Sequence, residues 1–170
     1  MRIREGSAAD VGVVLGFMDD AVAWMVERGQ TGQWGTEPIS GRLSFVERIE
    51  AWQRAGGLRI AEADTGEPVG ALVVGAAQPY VTEAAEPELY VILLVTSRHH
   101  AGEGIGAMLV ERAVAEARAA GVGLLRVDCW AGAPRLVRWY EEQGFLPVER
   151  FHVGEWEGQL FERRLADSAA

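Results

Sequence analysis

Cysteine is nearly absent from this chain: its 170 residues include one, Cys129. A single thiol excludes an internal disulfide. With three histidines, two of them adjacent, it leaves too few ligands for a structural zinc site, and no metal is expected. Long apolar runs are also missing. The run "LYVILLV" at 89–95 falls far short of the ~20 residues that a membrane-spanning helix needs. The first twenty residues lack the unbroken apolar core of a signal peptide, so a cytoplasmic protein with no membrane partner is expected. Basic charge is scarce: 16 basic against 25 acidic side chains leave a net charge of −9. A phosphate-backbone partner calls for a basic face, so no nucleic-acid partner is expected. What the chain does have is 49% hydrophobic and 24% charged residues, ordinary for a soluble globular protein. Its length suits one domain, residues 1–170, with a core of its own.

No internal repeat is visible, and low complexity is confined to the tail "ADSAA". Residues 2–5 alternate as a short strand does. Ser7 and Asp10 form an S-x-x-D capping pattern, followed by Val11, Val14, Leu15, Met18, Val22 and Met25 at helical spacing. After the Gly- and Pro-bearing loop "RGQTGQWGTEPISG", Leu43, Val46, Ile49 and Trp52 mark a second helix that stops at Gly56-Gly57. "LRIAEADTGEPVGALVVG" reads as an antiparallel hairpin, and "LYVILLV" as a strand buried on both faces. A helix runs from about Ile105 to Ala119 with Gly121 as its C-terminal cap. Then come the strand "GLLRVDCW", a helix opened by Pro134, and the closing strands "FLPVERFHV" and "QLFERRL". The order is β, α, α, β, β, β, α, β, α, β, β. Only the middle β-α-β unit demands a parallel crossover, so the fold class is α/β of the α+β kind, with a mixed sheet.

"HHAGEGIGAML" (99–109) is the stretch with most chemical content. Glycines let the backbone approach a ligand closely and adopt positive φ. The N–H groups of residues 101–106, at a helix start, have no internal partners and point toward an anion. Gly102, Gly104 and Ala107 also fit the dinucleotide pattern G-x-G-x-x-G/A, and Asp128 sits where a ribose-binding acid belongs. Three features oppose that match. The loop follows the fourth strand, an antiparallel hairpin precedes the unit, and only 64 residues follow Gly106.

"LYVILLVTSRHHAGEGIGAML" resembles the acyl-CoA-binding motif of the GNAT superfamily of N-acetyltransferases, and "LRVDCWAGAPRLVRWYEEQGF" is similar to that superfamily's next segment, a strand and a helix ending Y-x-x-x-G-F. Both stand in the family's order and separation, and the resemblance extends over nearly the whole chain, residues 1–57 matching only in general character. It implies a single GNAT-type domain: a mostly antiparallel sheet around a central parallel β-α-β unit, with helices on both faces. It implies transfer of an acetyl group from acetyl-CoA to a primary amine of a small molecule or peptide, by direct attack in a ternary complex. Leu94, Val95 and Thr96 would pair with the pantetheine arm, while Ala101, Gly102, Glu103, Gly104, Ile105 and Gly106 hold the pyrophosphate. Ala101 stands where the family has Arg or Gln, and Ala133 where many members have Asn, so each costs a contact.

Tyr140 matches the tyrosine that, in the family, protonates the leaving thiolate. An aliphatic amine of pKa near 10.4 is about one part in a thousand neutral at pH 7, so a base is also needed. Glu88, at the start of the central strand, is the leading candidate, ahead of Glu86 and Tyr90. Cys129 as an acyl carrier is disfavoured, because a buried cysteine behaves as a small hydrophobe. The acceptor is expected between the first two helices, where Trp24, Trp34 and Glu37, with Trp52, Asp19, Asp20 and Glu27, would give a cation aromatic walls and carboxylates. A non-catalytic acyl-CoA-binding or sensing module, or the same fold with another acyl donor, stays open at this point. Closing strands pair two copies in many relatives, so a homodimer is possible by analogy.

Overall fold

Hydrophobic spacing, with the capping, Gly and Pro signals, orders the elements correctly. In the computed structural model, which describes residues 1–166, seven strands and four α-helices are found among the described residues. All but the first residue of the "ADSAA" tail lies outside that range. The strands are β1 (Arg2–Glu5), β2 (Leu58–Glu62), β3 (Pro68–Gly75), β4 (Glu88–Thr96), β5 (Leu124–Trp130), β6 (Leu146–Val153) and β7 (Trp156–Arg164). The helices are α1 (Val11–Glu27), α2 (Leu43–Arg54), α3 (Ile105–Ala119) and α4 (Pro134–Glu142). One sheet has the order β1-β2-β3-β4-β5-β7-β6. Around the α3 crossover, β4 and β5 run parallel. The pairs β1–β2, β2–β3, β5–β7 and β6–β7 are antiparallel. The fold is thus the mixed, mostly antiparallel α/β arrangement expected.

The chain packs as two compact units. The first comprises Met1–Val73 with Leu93–Leu109, and the second Val74–Ile92 with the chain from Val110 on. In the first, Asp10 accepts from the Ser7 N–H at 2.7 Å, completing the S-x-x-D box at the short 3-10 turn that leads into α1. The apolar stripe of α1 is buried through Val11, Val14, Leu15, Met18 and Val22, with Met25 half-buried. Only Ile49 of α2 is buried, and Leu43 is exposed. Near the end of β4, the Ser97 N–H donates to the Val69 carbonyl of β3 at 2.8 Å.

In the second unit, Gly121 (φ 71°) ends α3 in the left-handed conformation that glycine adopts without strain. Tyr90, Val81 and Leu160 form a buried cluster with Ile92 and Phe151 against it. The expectation that β4 is buried on both faces needs correction. Val91, Leu93 and Val95 are buried, but Leu89, Ile92 and Leu94 are half-buried. A continuous apolar run therefore hid a two-residue alternation.

Candidate active site

The glycine loop is built as its composition requires. Gly102 (φ 87°) and Gly104 (φ 75°) both have positive φ, and a Cβ on either would meet no atom within 4 Å. The backbone is thus open there to an approaching group. The first α3 hydrogen bond runs from the Met108 N–H to the Gly104 carbonyl at 3.1 Å. The N–H groups of Ile105, Gly106 and Ala107 precede it and have no helical acceptor, which makes the helix start an anion cradle. The Glu103 N–H is turned inward to the His100 carbonyl at 3.3 Å. Its carboxylate pairs with His100 Nδ1 at 3.1 Å and is half-exposed, so it is held by the loop's own histidine. The donor set and the open backbone therefore fit a pyrophosphate.

What sets α3 close to the sheet is Gly70 on β3. A Cβ there would lie 2.9 Å from Ile105 Cγ2, 3.2 Å from Leu109 Cδ1 and 3.3 Å from the Val95 carbonyl. The first turn of α3 therefore rests on bare backbone. The β4–β5 ladder covers Glu88–Val91 and Leu124–Val127, so Leu94, Val95 and Thr96 lie outside it.

In the second unit, Tyr140 of α4 is 6% exposed and packs against Trp139, Phe145 and Phe161, with ring centroids 5.0, 5.8 and 5.4 Å away. Its hydroxyl has no hydrogen-bond partner among the described residues. Burial, reinforced by Cys129 and Asp128, raises the phenol well above its ordinary value. Cys129 is fully buried, and burial with the Asp128 charge pushes its thiol up to about 12. It is protonated at neutral pH and unfit as an acyl carrier.

Two carboxylates distinguish themselves. Glu88 is bound through both oxygens: Arg126, whose side chain is 2% exposed, donates Nε to Oε2 and Nη2 to Oε1 at 2.8 Å. Arg126 also donates to the Thr82 carbonyl at 2.9 Å. The base expected at Glu88 is therefore tied into a bidentate ion pair, and taking up a proton there breaks that pair. Asp128 differs. It accepts a hydrogen bond from the Tyr90 hydroxyl. Burial raises its carboxyl above the usual range, and the Tyr90 bond, with Tyr80 nearby, opposes that rise only in part. Sequence reading valued Asp128 only for a dinucleotide site. The Tyr90 contact arises from pairing across 38 residues, which no local motif announces.

The expected acceptor residues are placed as follows. Arg42 binds the carbonyls of Trp34, at 2.7 Å, and Glu37, at 2.5 Å, fixing that loop by its backbone. Trp34 is half-buried and the Glu37 side chain is exposed. Asp19 accepts from the Ser40 N–H at 3.0 Å and from its hydroxyl, tying the same loop to α1. Trp24 was expected to hold a substrate cation. Its ring already carries two of the chain's own guanidiniums, Arg28 at 4.2 Å and Arg98 at 4.0 Å from the centroid. Like charges this close repel a third.

Comparison with known proteins agrees with the fold. Residues 18–145 match the model of the acetyltransferase (GNAT) family. A GNAT-family acetyltransferase from Listeria monocytogenes is 21% identical, with 96% of this chain and 94% of that chain covered at a TM-score of 0.74. A ribosomal-protein-alanine N-acetyltransferase from Brucella melitensis is 22% identical over 97% and 100% of the two chains, with a TM-score of 0.72. A putative acetyltransferase from Salmonella typhimurium, yncA, solved with its cofactor acetyl-CoA, is 19% identical over 100% and 96%, with a TM-score of 0.69. No curated protein matches the chain. At these identities the solved structures speak for the fold alone.

Proposed function

The chain belongs to the acetyltransferase (GNAT) family, and from that membership we propose that it moves the acetyl group of acetyl-CoA onto a primary amine of a small molecule or peptide, within one domain and one ternary complex. The observation that carries this reading is the glycine loop at the start of α3. Its positive-φ glycines and free N–H groups form a cradle for a pyrophosphate. The backbone of Leu94, Val95 and Thr96 takes the pantetheine arm. When bound, acetyl-CoA supplies an activated thioester carbonyl.

The chain's own residues then handle two protons. The amine nitrogen forms its bond to the carbonyl carbon as the carbon–sulfur bond breaks. Asp128, whose carboxyl burial raises above the usual range, accepts the proton that the ammonium must shed. Tyr140, kept as a neutral phenol by burial, donates its proton to the departing sulfur. Asp128 takes the role expected of Glu88, because Glu88 is committed to Arg126. Glu88 instead positions the Arg126 end of the sheet.

Thiol release from acetyl-CoA, measured against a panel of amines with both substrates varied, tests the reading. Intersecting double-reciprocal lines are expected. Parallel lines would indicate an acyl-enzyme, and coenzyme A binding with no thiol release on any amine would reduce the chain to a binding module.

A further inference from the structure

Arginine supplies all 16 basic side chains of this acidic chain, and two of them stand apart in the first unit. Arg98 follows β4 in the 3-10 turn just before the glycine loop, and Arg28 closes α1. Both guanidiniums lie on the Trp24 ring, at 4.0 and 4.2 Å. Arg28 is otherwise explained. It donates to the Trp24 carbonyl at 3.2 Å and approaches Glu27 at 3.6 Å, as a basic residue at a helix C-terminus does. Arg98 has no such explanation. Its Nε is buried and has no hydrogen-bond partner among the described residues, although the residue as a whole is half-buried. A buried N–H donor without an acceptor is rare and costly. Burial and the Arg28 charge both weaken Arg98's hold on its proton.

We infer that Arg98, Arg28 and Trp24 form an oxyanion seat, taking a carboxylate or phosphate group carried by a ligand of this protein. The indole face fixes the plane of the guanidiniums, and a guanidinium fork matches the two oxygens of such a group. An anion also removes the repulsion between the two cations, which no hydrogen-bonded acceptor among the described residues relieves at Arg98 Nε. Two sources offer this chemistry: an amine acceptor bearing a carboxylate, or the phosphates of the cofactor. Only the choice of source rests on the acetyl-transfer reading.

The test follows the arginine Nε–H resonances of the full chain by 15N NMR, with the Arg98 signal assigned by its loss in Arg98→Gln. Succinate, coenzyme A and dephospho-coenzyme A are titrated separately. A saturable shift of the Arg98 signal with succinate but not with coenzyme A assigns the seat to the acceptor. A shift with coenzyme A that dephospho-coenzyme A does not reproduce assigns it to the cofactor's terminal phosphate. Either shift should weaken at least fivefold in apparent affinity in Arg28→Gln. No shift with any of the three overturns the seat. Kinetics supply a second arm. If the acceptor fills the seat, selectivity for an amino acid over its amide falls tenfold or more in Arg98→Gln and recovers in part in Arg98→Lys. Absence of turnover on every amine would defeat the acetyl-transfer reading and leave the NMR shifts to decide the seat.

Discussion

Burial acts on Tyr140 and Cys129 in the same direction and gives them opposite prospects. Both are held in the protonated form. That suits a proton donor and disables a nucleophile. Tyr140→Phe is expected to lower kcat by about 10²-fold, the low end of what a positioned acid contributes, with little change in the KM for acetyl-CoA. Wild-type activity should show no loss attributable to the phenol as pH rises to 10. Cys129→Ala is expected to keep turnover in the same order of magnitude. The carboxylates separate similarly. As a base Asp128 works only when ionised, so kcat/KM should climb with pH through an apparent pKa above the ~3.9 of an ordinary aspartate. Asp128→Asn should abolish that limb and reduce kcat about 10²-fold. Glu88→Gln should behave otherwise, because it strands the buried Arg126. A loss of about 3 kcal/mol of stability, seen as a lowered Tm, is expected, while the pH limb stays where it is. If Glu88→Gln removed the limb and Asp128→Asn did not, the base would be Glu88 after all.

The element on which the proposed function rests is the join from β4 to α3, and its geometry depends on β3. Gly70→Ala puts a methyl group against Ile105 and Leu109. Overpacking of this kind costs about 1–3 kcal/mol, and here it also lifts the first turn of α3. Calorimetry should show weakened coenzyme A binding alongside the lowered Tm. An unchanged Kd would mean that the cradle does not depend on that close approach. Ala101→Arg, which restores the side chain usual in the family, should tighten coenzyme A binding or leave it unchanged. A clear loss would mean that the loop is misplaced.

These elements were legible in the sequence because their signals are local. Helical spacing, a capping pair, Pro134 and three glycines in six residues each act within a turn or two. The Glu88–Arg126 and Tyr90–Asp128 pairs were not legible. They depend on β4 lying beside β5, 38 residues away, and on which face each side chain takes. The guanidiniums on Trp24 were not legible for the same reason. The indole suits a cation, but the cations that reach it come from this chain, and one of them, Arg98, is 74 residues distant.

At the scale of the whole molecule, an excess of acids makes acid stability a matter of which carboxylates are held ionised. Two are held by β1. Arg4 donates to both oxygens of Asp10 at 2.8 Å and to Glu62, and Arg2 adds a bond to Glu62 at 2.8 Å. The Asp10 and Glu62 side chains are only 8% and 6% exposed. Arg4 holds the Asp10 carboxyl far below the usual carboxylate range, and Arg4 with Arg2 lowers Glu62 likewise. A carboxylate depressed in the folded state binds more protons when unfolded. Its stabilisation is therefore complete above the unfolded pKa values of about 3.9–4.3 and drains away as pH falls toward the folded ones. Urea unfolding should give a plateau above pH ~5 and a decline below pH ~4. Arg4→Gln leaves both acids without their main partner. It should cost about 2–3 kcal/mol at pH 7, less than in a fully buried pair because Arg4 is a third exposed. It should also flatten the acid limb, since the two carboxyls then titrate more nearly alike in both states. If the variant declined as steeply as the wild type below pH 4, the acid sensitivity would have to originate outside β1, and the ion network would contribute to structure without setting the pH response.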